Sequence, residues 1–221
     1  MRCVIFDLDG TLADTSLDLI ASANHCFNAL GYGDVLDPAA DASTAFHGGR
    51  AMLNLGFGRI KPDYDQNDID GQYPVLLQAY GDAIDVHTKL YDGAVEAIEG
   101  LKSAGYAVGV CTNKPSGLAE NLLQKLGVRD LFASMIGADT LPVRKPDPAP
   151  YAAAVEQAGG HLAQSYLIGD TITDRKTAEA AGVPCALVTF GPDGQAVRAL
   201  KPEALLHSYD DLLGVTKELI G

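Results

Sequence analysis

The sequence predicts an α/β fold, in which a doubly wound parallel sheet forms the core and a small all-helical segment is inserted after the first strand. The first observation is a short apolar, β-branched run, residues 3–6, typical of a strand buried on both faces. The second is a regular alternation of strand-like and helix-like segments from residue 91 onward. The third is a stretch, residues 15–88, that shows helical spacing and no convincing strand.

The alternating segments are joined by short connections, which is the pattern of a parallel sheet with helices on both faces. Gly105, Gly127 and Gly182 end three of the predicted helices, at the position where glycine commonly follows the last turn. The predicted strands are 106–112, 134–138, 166–169 and 185–189. The predicted helices lie near 94–101, 118–126, 151–158, 174–181 and 209–219.

The inserted segment carries apolar residues at helical spacing near both of its ends, around residues 17–27 and 73–84. Because it follows the first strand directly, we expect it to form a lid over the loop at that strand's carboxyl end. Helices that simply pack on the sheet are the alternative. The expected domains are therefore a core, residues 1–14 and 89–221, and a helical cap, residues 15–88.

Composition restricts the class of protein and its partners. The 221 residues include 29 Asp and Glu against 16 Lys and Arg, a formal charge of −13 that disfavours nucleic acids and anionic membranes as partners. No apolar run has the length of a signal peptide's hydrophobic region or of a membrane span. The four cysteines show no paired metal spacing and no CxxC, so we expect them to be structural in a cytoplasmic protein.

Two aspartates, Asp7 and Asp9, follow the first predicted strand. Catalytic loops lie at the carboxyl ends of parallel strands, and two acids held there can act as nucleophile and as general acid/base. A calcium loop starting at Asp7 would require glycine at its sixth position, where Leu12 stands. An ordinary turn at the strand end is the other alternative.

Two further loops carry polar side chains at predicted strand ends. Thr112 and Asn113, followed by Lys114, could bind a phosphate, although Thr-Asn before proline is also ordinary helix-capping chemistry. Lys145 precedes Pro146 in a proline-rich loop that fixes the backbone around it. A solvated lysine in a turn is the alternative there.

A fourth loop places Asp170 at a strand end and Asp174 four residues later, where N-capping by Asp170 is the competing explanation. The four loops together bring acids, a hydroxyl and a lysine to one edge of one sheet, a combination that helix capping does not require. We therefore predict a single reactive site at that edge.

Charge indicates what this site needs. The site would hold a charge of −4 from its ionised acids, Asp7, Asp9, Asp170 and Asp174. Two lysines, Lys145 and Lys114, contribute +2, so the net charge is about −2. Two unit charges ~4 Å apart interact by ~4 kcal/mol at an effective dielectric constant of ~20, so a phosphate ester would be repelled. One divalent cation removes this excess, and all-oxygen ligands favour Mg²⁺.

At these four loops the sequence resembles the haloacid dehalogenase-like hydrolase superfamily. The matching motifs are Asp7-Leu8-Asp9-Gly10-Thr11, Thr112 after an apolar strand, Lys145 before Pro146, and Gly169-Asp170 with Asp174. The resemblance implies a Rossmann-like core, with the insertion as that family's small helical cap.

The same resemblance implies catalytic roles. Asp7 would be the nucleophile that forms an aspartyl-phosphate, and Asp9 would protonate the leaving alcohol and later deprotonate the attacking water. Thr112 and Asn113 would bind phosphoryl oxygens, and Lys145 would neutralise Asp7 and the phosphate. Dehalogenase members lack the second acid of the first motif, so Asp9 implies phosphate transfer.

The metal site is likewise implied by resemblance. Asp7, the backbone carbonyl of Asp9, and Asp170 would hold Mg²⁺, and Asp174 would support the water shell of the metal.

Within the superfamily, three core stretches look most like those of phosphoglycolate phosphatases. They are residues 112–115, 137–142 and 145–148. The expected substrate is therefore a small phosphorylated metabolite, with 2-phosphoglycolate as the leading candidate. Residues 189–192 depart from the usual Gly-Tyr pattern of that group. A sugar phosphomutase of β-phosphoglucomutase type and a non-enzymatic phospho-acceptor protein are the alternatives.

The inserted segment raises a separate question about substrate recognition. Between residues 13 and 88 there are eleven aspartates, no glutamate and only three firm cations, Arg50, Arg59 and Lys61. Arg50 follows a glycine pair, and arginine binds carboxylates with two hydrogen bonds. Our hypothesis is that Arg50 contacts the non-phosphate end of the substrate, and an exposed arginine after a turn is the alternative.

Overall fold

A computed structural model describes every residue of the chain, Met1–Gly221. The chain divides into two compact units, one formed by Met1–Ala13 with Leu90–Gly221 and the other by Asp14–Lys89. We call the first the α/β unit and the second the helical unit.

The secondary structure comprises eight strands and nine α-helices. The strands are β1 (Cys3–Phe6), β2 (Ala13–Asp14), β3 (Lys89–Leu90), β4 (Ala107–Cys111), β5 (Ser134–Ile136), β6 (Ser165–Gly169), β7 (Cys185–Val188) and β8 (Ala204–Leu206). The helices are α1 (Ser16–Ala29), α2 (Ala42–Ala45), α3 (Gly49–Ile60), α4 (Gln66–Asp82), α5 (Ala94–Ser103), α6 (Ser116–Lys125), α7 (Pro148–Gln157), α8 (Ile172–Ala181) and α9 (Leu212–Ile220). None of the helices combines the length and the hydropathy needed to cross a bilayer.

Six strands form one parallel sheet in the order β5–β4–β1–β6–β7–β8. Phe6, the last residue of β1, lies opposite Val110 of β4 on one side and Ile168 of β6 on the other. The chain runs outward from β1 to β5 and then from β6 to β8 on the opposite side, so the strand order reverses at β1. Ligands bind at such a reversal, outside the carboxyl ends of the strands. The predicted doubly wound parallel sheet is confirmed.

The central strands are buried along their whole length. Every residue of β1, β4, β6 and β7 is buried, as expected for parallel strands that helices cover on both faces. Tyr151 of α7 is fully buried against this sheet, and its hydroxyl lies 2.6 Å from the Ser165 hydroxyl. The polar end of this large side chain is thereby satisfied, so the core has a fixed shape behind the loops.

The sequence prediction lacks one strand of this sheet, β8. This strand has three residues, pairs only with β7 at the sheet edge, and buries only Leu206 completely. So short an edge strand leaves no periodic pattern to detect. Helix α7 also begins at Pro148, before the predicted start near residue 151, because the Asp147 side chain caps it by accepting from the Ala149 N–H at 2.9 Å.

Helices α1–α4 form the helical unit, although the periodic pattern located only α1 and α4. Helix α3 contains several glycines, which break that pattern. One of them, Gly56, has a packing reason, because a Cβ there would lie 2.1 Å from the ring of Phe27. That ring packs edge-on against Phe57 of α3, with ring centroids 5.4 Å apart. The close approach of α1 and α3 therefore depends on glycine.

Candidate active site

The candidate site is built in the α/β unit, on the loops that follow β1, β4, β5 and β6. Asp7 is the first residue after β1, and its N–H donates to the Ile168 carbonyl at 2.8 Å, continuing the sheet pairing by one residue. Its side chain is also fixed, because Oδ1 accepts from the Leu8 N–H at 2.7 Å. The sheet therefore presents one carboxylate rigidly at its carboxyl edge.

Lys145, from the loop after β5, is buried beside that carboxylate. Its Nζ lies 3.0 Å from Asp7 Oδ2 and 2.6 Å from Asp174 Oδ1. The loop is held in place by Asn113, whose Nδ2 donates to the Lys145 carbonyl at 2.9 Å. The sequence-based alternative of a solvated lysine does not describe this structure, since the ammonium is enclosed between two carboxylates.

Asp174, at the start of α8, uses both carboxylate oxygens within the protein. Oδ1 pairs with Lys145, and Oδ2 accepts from the N–H and the hydroxyl of Thr171 at 3.1 and 2.8 Å. Thr171 is the N-cap of α8 and Asp174 completes its capping box, so Asp170 does not serve as the helix cap. Asp174 thereby joins the helix start to the lysine.

Gly169, the last residue of β6, is required by this arrangement. A Cβ at this position would lie 2.2 Å from the carboxylate carbon of Asp174. Any larger residue would therefore displace the carboxylate that holds Lys145.

Asp170 is almost fully buried and only partly satisfied. Its Oδ1 accepts from the Thr11 hydroxyl at 3.1 Å, whereas Oδ2 is buried without a hydrogen-bond partner. An unsatisfied buried carboxylate oxygen is costly unless something compensates its charge.

The residues fit an oxygen-seeking divalent cation. Asp7, Asp170 and Asp174 each have a carboxylate oxygen within 4.8 Å of those of the other two. Carboxylate oxygen is the ligand that Mg²⁺ prefers, and the unpartnered Oδ2 of Asp170 gives a direct reason for a cation here. Asp170 is the clearest ligand because its Oδ2 has no partner, whereas both oxygens of Asp7 and of Asp174 already have donors. The Asp7 side chain is 13% exposed and that of Asp174 is fully buried, so Asp174 suits a supporting role.

The protonation states reflect crowded negative charge. Burial raises the pKa of Asp7 from 3.8 to about 6; Lys145 opposes this, and Asp174 and Asp9 add to it. Burial, followed by Asp174 and Asp7, raises the pKa of Asp170 well above its ordinary value. Burial acts to lower the pKa of Lys145, but the charges of Asp174 and Asp7 outweigh it and raise the pKa overall. Lys145 therefore stays protonated. The raised pKa values of Asp7 and Asp170 mean that a bound cation would favour the ionised form of both acids.

The loop after β4 supplies the predicted phosphate-binding residues. Thr112 is buried, its N–H donates to the Ile136 carbonyl at 2.9 Å, and its hydroxyl accepts from the Lys114 N–H at 3.1 Å. Asn113 is exposed, but its amide already holds the Lys145 carbonyl. Asn113 therefore positions the lysine loop in this structure.

Asp9 forms an ion pair with Lys114, which was predicted to lie with Thr112 and Asn113 in a phosphate-binding loop and was not expected to contact Asp9. The Lys114 Nζ lies 2.8 Å from Asp9 Oδ1, and the lysine side chain is 4% exposed. The available signal was its place directly after Thr112-Asn113, because the loops after β1 and β4 lie side by side.

Arg50 lies in the helical unit, in the first turn of α3. Its guanidinium forms an ion pair with Asp70 and stacks over the Tyr73 ring, 4.4 Å from the ring centroid. Arg59 and Lys61 also pair with aspartates of this unit, Asp41 and Asp68. Each of the three cations counted in the inserted segment, including the proposed substrate contact Arg50, therefore has an aspartate partner.

Comparisons with known proteins show the family of the chain. The family model described as haloacid dehalogenase-like hydrolase matches residues 4–188. Proteins named phosphoglycolate phosphatase from Mesorhizobium japonicum and Agrobacterium fabrum are each 36% identical, over 95% and 97% of this chain and 92% and 91% of their own lengths. A crystal structure from Haemophilus somnus 129PT, titled a predicted phosphoglycolate phosphatase, superimposes with a TM-score of 0.85 at 25% identity, covering 98% of both chains. The chain belongs to the haloacid dehalogenase-like hydrolase family.

Proposed function

We propose that the protein is a Mg²⁺-dependent phosphatase that hydrolyses a small phosphorylated metabolite through an aspartyl-phosphate on Asp7, with 2-phosphoglycolate as the leading candidate. The family and the named relatives make the chain a phosphoric monoester hydrolase. The observation that carries the finer proposal is the enclosure of Lys145 Nζ between Asp7 and Asp174, in a carboxylate cluster that includes Asp170 with its unpartnered oxygen.

In the first step, a carboxylate oxygen of Asp7 attacks the phosphorus of the substrate. The bond from phosphorus to the leaving oxygen breaks, and that oxygen takes a proton from Asp9. Lys145 lowers the repulsion between the attacking carboxylate and the phosphate, because its ammonium is 3.0 Å from Asp7. Thr112 and Asn113 are proposed to bind the phosphoryl oxygens.

In the second step, a water molecule attacks the phosphorus of the aspartyl-phosphate. Asp9, now a carboxylate, takes the proton from the water, and the bond between phosphorus and Asp7 breaks. Inorganic phosphate leaves and both aspartates return to their starting states. Two acids with different roles suffice for both half-reactions.

Mg²⁺ is proposed to bind Asp7, the backbone carbonyl of Asp9, and Asp170, with Asp174 supporting its water shell. When bound, it supplies the positive charge that cancels the excess of acids and orients the phosphoryl group. The all-oxygen donor set and the unpartnered Oδ2 of Asp170 support this assignment.

Substrate selection is proposed to involve the predicted cap, residues 15–88, through Arg50. Its guanidinium is already positioned by Asp70 and Tyr73, so a substrate carboxylate would share or replace the Asp70 contact. The assignment of 2-phosphoglycolate is supported by the names of the relatives. We further propose a cytoplasmic location, because all four cysteines are free and buried.

A phosphate-release screen tests the proposal. Purified protein is incubated with a few dozen phosphorylated metabolites, including 2-phosphoglycolate, with Mg²⁺ or with EDTA. We expect Mg²⁺-dependent release of inorganic phosphate, fastest with a small acid phosphate, and no release by Asp7→Asn. Hydrolysis that continues in EDTA would contradict the metal assignment, and transfer between sugar hydroxyls without phosphate release would favour the mutase alternative.

A further inference from the structure

We propose that Lys114 is a positioning residue for Asp9: its ammonium holds the Asp9 carboxylate in the orientation needed to take a proton from the attacking water. The inference rests on the role of Asp9 in the proposed function and adds a residue to that role. It starts from the ion pair between Lys114 Nζ and Asp9 Oδ1, 2.8 Å long.

The lysine is anchored at both ends. Its N–H donates to the Thr112 hydroxyl at 3.1 Å, and its carbonyl accepts from the Ala138 N–H at 2.9 Å. Its side chain is 4% exposed, against 18% for that of Asp9, so the lysine is the more enclosed partner. A buried, anchored ammonium restricts the rotamers of the acid it binds, because charge-assisted hydrogen bonds are short and directional.

The anchor itself depends on a close approach between β5 and α6. Gly137, just after β5, has no room for a side chain, because a Cβ there would lie 2.5 Å from the Ser116 Cα. The Ser116 N–H, at the start of α6, also donates to Asp139 Oδ1 at 2.7 Å. The segment that holds the Lys114 carbonyl is thus fixed against the helix that follows Lys114.

The two ammonium groups of the site have separate tasks. Lys145 contacts Asp7 and Asp174, whereas Lys114 contacts Asp9. Lys145 therefore acts on the nucleophile, and Lys114 acts on the acid that moves protons. Orientation of a general base relative to water contributes directly to rate, since proton transfer requires hydrogen-bond reach.

A double-mutant cycle with Asp9→Asn and Lys114→Met tests the inference. The probe is p-nitrophenyl phosphate, whose leaving group needs little protonation, so phosphoenzyme formation and decay are measured separately by rapid quench. We expect Lys114→Met to slow phosphoenzyme decay about tenfold or more, less than the loss of ~10²–10⁴ expected for Asp9→Asn. Phosphoenzyme should then accumulate, while the rate of its formation changes less than about twofold.

The decisive comparison is the effect of Lys114→Met in the Asp9→Asn background. A positioning residue acts only through Asp9, so the second substitution should then change decay by less than about twofold. An equal fold-loss in both backgrounds, or a slower formation step with normal decay, would overturn the inference and assign Lys114 to the phosphate. Circular dichroism checks folding, with Lys114→Gln as second variant and exposed Lys217→Met as control.

The outcomes also separate this inference from the proposed function. A wild-type protein that neither forms phosphoenzyme nor releases phosphate overturns both. Normal wild-type turnover, a slow Asp9→Asn variant and an unaffected Lys114→Met variant overturn the inference alone.

Discussion

Replacing Asp7 by asparagine is expected to raise the stability of the metal-free protein at pH 8 while abolishing its activity. Asp7 is held at the end of β1 as an anion whose burial opposes ionisation. Asparagine has nearly the same shape and no charge, so the substitution removes the unfavourable charge and keeps the packing. Its side-chain oxygen can still accept from the Leu8 N–H.

The size of the effect follows from the pKa. Burial raises the pKa of Asp7 from 3.8 to about 6, with Lys145 opposing and Asp174 and Asp9 adding. A difference of about two pH units corresponds to about 3 kcal/mol at 1.36 kcal/mol per unit. For a chain of this length about 1 kcal/mol moves Tm by about 2–4 °C, so Tm should rise by about 6–12 °C.

The pH dependence provides an internal check. Because the pKa of Asp7 is higher in the folded state than in the unfolded state, the folded state binds the proton more tightly between pH 3.8 and about 6. The contribution of Asp7 to stability therefore falls as pH rises through that window, and its full cost is present above it. The Tm difference between wild type and Asp7→Asn, measured in EDTA, should be full at pH 8 and about a third as large near pH 4.5.

Asp174→Asn is the matched control, with the opposite expected sign. Asp174 is buried, but its oxygens accept from Lys145 and from the Thr171 N–H and hydroxyl, so neutralising it leaves an ammonium and donors poorly satisfied. This variant should lose stability at pH 8. The reasoning is refuted if Asp7→Asn is no more stable than wild type at pH 8 in EDTA, or if both variants shift Tm in the same direction.

Three other results are expected. Asp9→Asn should lower kcat by ~10²–10⁴, because both half-reactions lose their proton carrier. Steady-state phosphate release measures kcat, and a loss below about tenfold would show that Asp9 does not have this role. At limiting Mg²⁺, kcat/KM should fall on the acid side with an apparent pKa near the Asp7 value of about 6, because the nucleophile becomes protonated. At saturating Mg²⁺ this apparent pKa should move to lower pH. An apparent pKa that does not change with Mg²⁺ concentration would contradict metal binding by Asp7. Arg50→Ala should raise KM for the preferred substrate and spare p-nitrophenyl phosphate, and equal effects on both would reject a contact with the non-phosphate end.

Much of the α/β unit could be predicted because its signals are local. Each signal is contained in a few consecutive residues: an apolar run for β1, β4, β6 and β7, and a single glycine at the end of a helix. The edge strand β8 and the glycine-containing α3 were missed, because in both cases packing against distant residues decides the structure.

The candidate site likewise has features that the sequence could predict and features that it could not. The positions of Asp7, Lys145 and Asp170 at strand ends follow from the alternation of strands and helices and the parallel sheet that it predicts. The pairing of Lys114 with Asp9 could not be derived, because it joins loops after two different strands and depends on side-chain rotamers. Likewise, Asp174 combines a helix cap with the lysine contact, and only the folded structure reveals both uses.

The most direct test of the central claim is to identify the residue that carries phosphate during turnover. Enzyme reacting with 2-phosphoglycolate or p-nitrophenyl phosphate and Mg²⁺ is quenched in acid, the acyl phosphate is reduced with borohydride, and the peptides are mapped by mass spectrometry. We expect reduction to homoserine at position 7 only, and none in the absence of substrate. Reduction at position 9, or steady phosphate release with no reducible aspartate, would contradict nucleophilic catalysis by Asp7.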